Sequence, residues 1–454
     1  MFKIKTITLS LLALLLVMSF ASCASDTTSD SPLPSKDMKA YLQVKVTVEG
    51  SGDTRASRAD KGPQGGEGGD DREPGINHEN DVNSLTVLLY ESGKDDLTEA
   101  DAKIDYVYTF TGLKSLSSTS GVTYTTGLRE IDPVIVGKSY HVLVIANAGD
   151  MTSKCIGKNI SKIRDMQMDK VCTRNDVIAN FTDFVMSSKK DAKIDFSGKP
   201  GSGTGTESDP YMVDVNIERL AARIDIIPNA TYVDTDKGYY YNVMDGTNVI
   251  GGFKLESVTP TKVMTKGEYL IKRVSSDKTV SSVTYFGLEA KDADNKATNY
   301  VVCPWTKDRT GLTLSNAEGP TSLYNVKNTT STSTAVGEAS YILDYVMENT
   351  TTDNDEGHST GLIFKGKYFD TSDWDAIKKQ PKAGSTGTDK EYTYTLRHSD
   401  PSGSGTISDP MHFGVVRNNI YQVKVDGVEG KSKGLKLTIN VRKWATYTHD
   451  ETTM

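Results

Sequence analysis

The chain of 454 residues is poor in cysteine and histidine, with 4 and 6 of them. So few cysteines exclude a disulfide scaffold. The histidines are scattered, with neither a His-Glu-x-x-His string nor the Cys/His cluster that holds zinc. A basic stripe with interleaved aromatics is missing. The net charge of −8 comes from mixed charges rather than from a block, which argues against a nucleic-acid partner and reads as solubility. Helical periodicity is weak and confined to residues 159–168 and 371–378. Past residue 20, no apolar run approaches the roughly 20 residues that a membrane helix needs.

Catalytic strings are also wanting. Gly430-Lys431-Ser432-Lys433-Gly434 satisfies Gly-x-Ser-x-Gly, but a nucleophile elbow needs a strand before it and a helix after it. Here an alternating strand follows, and only His449 lies downstream as a base. Gly-Lys-Ser in the same run lacks the preceding glycine of a phosphate loop, because Val425 stands there. The acidic loops around Asp292 and Asp294, and around Asp353 and Asp355, do not complete the calcium-loop spacing. No catalytic residue, no metal and no cofactor is expected.

What is present begins at the N-terminus. Lys3 and Lys5 precede an apolar run over 7–20 that ends in Ala21, Ser22 and Cys23, the layout of a signal peptide. Phe20-Ala21-Ser22-Cys23 resembles the lipobox of bacterial lipoproteins. That likeness makes Cys23 the thiol that is acylated and the membrane a partner reached through lipid.

Most of the remaining chain reads as short strands rich in Val, Ile, Tyr and Thr: 85–90, 140–146, 212–217, 223–227, 252–255, 299–303, 341–345, 361–364 and 421–425. Gly, Asn, Asp and Ser bound them, as in an all-β sandwich protein. Residues 50–75 are crowded with Gly and charge and have little to bury. A Gly/Ser/Thr run at 198–210 places a domain boundary near Asp214, and 400–410 reads similarly. The expected division is a signal peptide over 1–23, a propeptide over 24–55, sandwich domains over 56–213 and 214–434, and a terminal strand over 435–454. Cys155 and Cys172 are either a bridge or, with Cys303, buried free thiols.

Two segments share one pattern. Leu42, Val44, Val46 and Val48 alternate with polar residues near the start of the chain. Leu435, Leu437, Ile439 and Val441 do so near its end. Each presents four aliphatics on one face, so each fits one side of a sandwich core. A trypsin-like cut in the arginine-bearing loop that follows the first segment would sever it. A sandwich that loses an edge strand offers unpaired backbone and an apolar trough to a strand from another chain. Such a joint is head-to-tail and builds rings or filaments. Both segments equally fit as ordinary strands of one closed sandwich. Trp444 interrupts the polar face of the second segment; it either anchors a joint between chains or caps its own domain. Arg219 and Arg223 flank Leu220-Ala221-Ala222; they either bridge a domain interface or sit at exposed strand positions.

The chain resembles the fimbrillins of Bacteroidetes, the subunits of type V pili. The likeness rests on Thr54-Arg55-Ala56, on Val82-Asn83-Ser84-Leu85-Thr86-Val87 and on Tyr140-His141-Val142-Leu143-Val144-Ile145-Ala146-Asn147-Ala148. It continues through Phe184-Val185-Met186-Ser187, Ile217-Glu218-Arg219-Leu220-Ala221-Ala222-Arg223 and Val416-Arg417-Asn418-Asn419-Ile420-Tyr421. The resemblance implies two transthyretin-like, Greek-key β-sandwich domains with few short helices, and export as an outer-membrane lipoprotein precursor. It further implies removal of the first strand by an arginine-specific protease after Arg55 or Arg58. The mature form would then stand in a cell-surface fimbria, polymerised with other copies of itself and other fimbrial subunits through a donor strand running to Trp444. The Gly-rich stretch 62–75 is longer than the family pattern and leaves several arginines competing as the cut site. The alternatives are a monomeric surface lipoprotein that binds glycan or host protein and keeps its first strand, and an anchor or tip subunit of the same filament.

Overall fold

The computed structural model describes residues 39–48, 72–74, 77–91, 102–118, 121–164, 166–175, 180–188, 191–197, 203–230, 232–234, 238–267, 340–350, 356–398, 413–430 and 434–445, together with Leu270 and short pieces between 284 and 326. Cys23, Arg55, Arg58, Cys303, the strand expected at 299–303 and the acidic residues 292–295 lie outside the described residues.

The fold is all-β, with sandwich domains built from two large sheets. The first holds ten strands. Its elements are β1 (Ala40–Val48), β3 (Ser84–Glu91), β4 (Tyr106–Thr111), β5 (Lys114–Ser118), β6 (Gly121–Thr125), β7 (Arg129–Ile131), β8 (Ser139–Ala146), β9 (Met186–Ser188), β10 (Ala192–Asp195) and β11 (Tyr211–Arg219). They run in the order β4-β3-β8-β9-β11-β1-β6-β5, with β10 beside β8 and β7 beside β1. Alternation in sequence becomes alternation in space: along β1 every second residue is buried. β3 and β8 are apolar nearly throughout and are buried on both faces over six and seven consecutive residues, as central strands must be.

The second sheet starts one residue after the first ends. β12 (Ala221–Ile227), β13 (Gly238–Asp245), β14 (Asn248–Thr261), β15 (Ser340–Met347), β16 (Gly361–Asp370), β17 (Thr388–Thr395), β18 (Asn419–Glu429) and β19 (Gly434–Ala445) are its main strands. The order is β15-β12-β18-β13-β14-β16-β17, and β19 pairs with β18 and with β2 (Arg72–Pro74). The sheets change over at Leu220, so the boundary expected near Asp214 falls inside β11.

Two other expectations differ from the structure. The helix expected over 159–168 is one short piece, Ile160–Arg164. Met168 instead exchanges backbone hydrogen bonds of 2.8 and 2.6 Å with Gly267, tying the first half to the second. The helix expected over 371–378 is a tight hairpin, Trp374–Asp375 against Gln380–Pro381. There the Asp375 carboxylate accepts from the backbone N–H groups of Ile377 and Lys378 at 3.1 and 2.9 Å, a local bond that competes with helix formation. Lys379 closes the turn in the left-handed region, with φ of 54°.

Candidate assembly site

The first strand is an interior strand. β1 runs parallel to β11 in the register Leu42↔Tyr211 to Val48↔Ile217. On its other side it pairs antiparallel with β6, from Lys45↔Thr125 to Val48↔Val122, and with β7, from Ala40↔Ile131 to Leu42↔Arg129. The expected edge strand is therefore enclosed on both sides. The corner between β6 and β7 is fastened by Thr126, whose hydroxyl accepts from the Val44 N–H at 2.9 Å and whose own N–H donates to the Val44 carbonyl at 2.9 Å. Leu42, Val44, Val46 and Val48 are all at 0% exposure. At about 1.5–3 kcal/mol for each buried aliphatic, the strand contributes on the order of 10 kcal/mol of gross burial. The next described element, β2, begins at Arg72.

The C-terminal strand is held differently. β19 pairs antiparallel with β18 over all but its last two residues, from Glu429↔Gly434 to Asn419↔Lys443. On its other side it meets β2 only at Arg72↔Lys443, Glu73↔Trp444 and Pro74↔Ala445. Leu435, Leu437 and Val441 pack on the second core yet stay partly exposed, and only Ile439, at 4%, is buried. The strand is entered between Gly430 and Gly434, with φ of 61° and 120°, values that other residues rarely adopt. In the intact chain the two segments of like pattern therefore occupy different sheets.

The end of β19 leads into a buried charged cluster between the two halves. Trp444 is fully buried. Its indole N–H donates to Glu79 Oε2 at 2.9 Å, its ring stacks on Tyr345 at 5.9 Å and 18°, and Phe184 meets it edge-on at 6.3 Å. The guanidinium carbons of Arg219 and Arg223 stand 4.6 and 5.7 Å from the indole centroid, in the geometry of cation–π contacts. Glu79 comes from a 3-10 turn, Asn77–Asn80, that follows β2. Its carboxylate also accepts from the Tyr345 hydroxyl at 2.6 Å and from Arg223 Nη1 at 3.1 and 3.3 Å. Asp225 takes the rest of the Arg223 fork at 2.9 and 2.8 Å.

Arg219 donates to the Glu79 carbonyl at 2.8 Å, to Asn418 Oδ1 at 2.9 Å and to Asn80. Burial pulls the Arg219 guanidinium down to about 10, with Glu79 opposing. Burial acts on Arg223 as well, but the Asp225 and Glu79 carboxylates prevail and hold it above its ordinary value. Both arginines stay charged at neutral pH. Of the two readings open to them, exposed strand positions or a bridge between domains, the structure shows the bridge. Glu79 is the partner that sequence reasoning missed.

Among the described residues no group of three or more His, Cys, Asp or Glu is placed to hold a metal ion. No helix of the described residues is long and apolar enough to cross a membrane. Cys155 and Cys172 are both buried and form no bridge with each other, and burial pushes the Cys155 thiol up to about 11, far from a reactive thiolate at neutral pH.

Residues 40–219 match the model of a protein family described as the major fimbrial subunit protein (FimA). The matched span starts with the first residue of β1 and ends with the last of β11. Over this span the chain is similar to the major fimbrial subunit family. A comparison with curated proteins finds no match. Among solved structures, the chain is similar to a proposed cell adhesion protein from Parabacteroides distasonis at 15% identity and a TM-score of 0.46, covering 90% of this chain and 99% of that one. It is also similar to a fimbrial assembly protein from the same organism at 13% identity and a TM-score of 0.39, covering 88% and 95%.

Proposed function

We propose that this chain is a fimbrial subunit that polymerises by exchanging strands. It is exported as a lipoprotein acylated at Cys23, an arginine-specific protease cuts after Arg55 or Arg58, and β1 leaves. The groove it vacates, walled by β11 on one side and by β6 and β7 on the other, then accepts Leu435 to Trp444 of another copy. Leu435, Leu437, Ile439 and Val441 take the places of Leu42, Val44, Val46 and Val48.

The observation that supports this reading is the contrast between the two strands. β1 is paired on both sides and its four aliphatics are fully buried, so its loss would leave two rows of backbone groups and an apolar trough that must be refilled. Among the described residues β19 has β18 along most of its length and β2 beside only its last three residues, with most of its aliphatics partly exposed, so moving it into such a trough would bury more of them and lengthen the second row of hydrogen bonds. Purified fimbriae should give detergent-resistant ladders, and deletion of residues 435–454 should abolish them. Ladders that survive that deletion would refute the donor assignment.

A further inference from the structure

Trp444 is fully buried near the end of the C-terminal strand, while the aliphatics that precede it are mostly partly exposed. Its slot is assembled from five places in the chain: Glu79 after β2, Phe184 before β9, Arg219 at the end of β11, Arg223 in β12 and Tyr345 in β15. Backbone and side chain are gripped by the same short segment, since Glu73 in β2 pairs with Trp444 and Glu79 accepts its indole N–H.

The slot is also built to survive without its occupant. If Trp444 left, Glu79 would keep Tyr345 and Arg223, Arg223 would keep Asp225, and Arg219 would keep the Glu79 carbonyl and Asn418. Departure thus gives up the indole hydrogen bond to Glu79, the aromatic burial and the cation–π contacts, while each of these buried charges keeps a partner. That is the energetic profile of a releasable contact. A core residue on which the charges depended would behave otherwise.

Resting on the strand-exchange reading above, we infer that Trp444 and Glu79 form a clasp that keeps the C-terminal strand in its own subunit, and that a second copy of this chain receives the strand only once Trp444 has left its slot. The clasp belongs to the segment 72–80, which follows the arginine-bearing stretch in sequence. A cut after Arg55 or Arg58 turns that segment from part of a continuous chain into part of a new N-terminal arm. One proteolytic event then both opens the β1 groove and loosens the hold on the donor.

The test is amide hydrogen exchange on the uncut, lipid-free precursor, where strand exchange between copies has not begun. Trp444→Ala should speed exchange of amides 434–441 about tenfold, while β1 and β11 stay protected. Trp444→Phe, which keeps the ring and removes the N–H donor, should give a smaller increase.

Unchanged tail exchange in Trp444→Ala would overturn the clasp. So would a uniform rise across β1 and β11 in both Trp444 variants, because it would mean the residue supports the whole fold. Ladder formation after arginine-specific cleavage is scored separately. Faster tail exchange without ladders in wild type or variants keeps the clasp and refutes the strand-exchange reading.

Discussion

At the residue scale, the buried charges between the two halves set the sharpest expectations. Arg223 has both carboxylate partners at 0% side-chain exposure, so Arg223→Met leaves Glu79 and Asp225 buried with one cation fewer. Loss of one member of such a set costs about 3–5 kcal/mol, and urea unfolding of the lipid-free precursor should show it. Glycine sets a steric limit elsewhere. A Cβ on Gly252 would come within 2.1 Å of the Trp374 ring, which is itself fixed by a 2.9 Å hydrogen bond from its N–H to Asn242. Gly252→Ala should therefore cost about 1–3 kcal/mol, with a change in the near-UV signal of tryptophan.

Tyrosines make the fold sensitive to alkali. Burial pushes Tyr108 and Tyr124 up to about 12, and Tyr345 and Tyr241 well above their ordinary value. A phenol that ionises less readily when folded contributes stability that is fully present below the unfolded value near 10 and is lost as pH rises from there toward the folded value. Stability should be flat with respect to these groups up to about pH 10 and fall above it. Phenolate absorbance should rise in step with loss of β-sheet circular dichroism; complete tyrosine ionisation with the sheet intact would contradict the assignment.

At the element scale, the two strands of like pattern are distinguished by their surroundings. Val46→Ala removes two methyl groups from a site at 0% exposure and should cost about 2–3 kcal/mol in the precursor. Leu437→Ala acts on a partly exposed position and should cost about 1 kcal/mol there. In fimbriae assembled by the proposed strand exchange the order should change, because Val46 would be gone with its strand and Leu437 would sit in the groove. Ladders of Leu437→Ala should then dissociate at lower temperature than wild type.

The strands were legible because alternation maps directly onto burial. β1, β8, β11, β12, β15 and β18 lie where runs of Val, Ile and Tyr predict them. The helix expected over 371–378 was not, because the Asp375 side chain diverts the backbone into a turn. Nor was the enclosure of β1, since its parallel partner β11 is contributed from more than 160 residues away. Alternation tells which face of a strand is buried and carries no information about which strands flank it.

For the whole molecule, the interface between the sheets is what sequence concealed most. Arg219 and Arg223 stand in a conspicuous string, yet their burial depends on Glu79, Asn80 and Asn418, which lie more than 130 residues away in either direction. Glu79 sits among polar neighbours and carries no pattern of its own. The first core also draws in Tyr345, Ile420 and Trp444 from the second half, so the two sheets are packed as partners in the intact chain. A molecule so closed suits the proposed export as a monomer, in which a lipid on Cys23 would serve as a transport handle and leave together with β1.

The central claim is that β1 is absent from the working subunit, and the N-terminal residue of the protein taken from surface fimbriae tests it most directly. A chain that starts at Ala56 or Ala59, without lipid, is the predicted result. A chain that still carries acylated Cys23 followed by an intact β1 would contradict it.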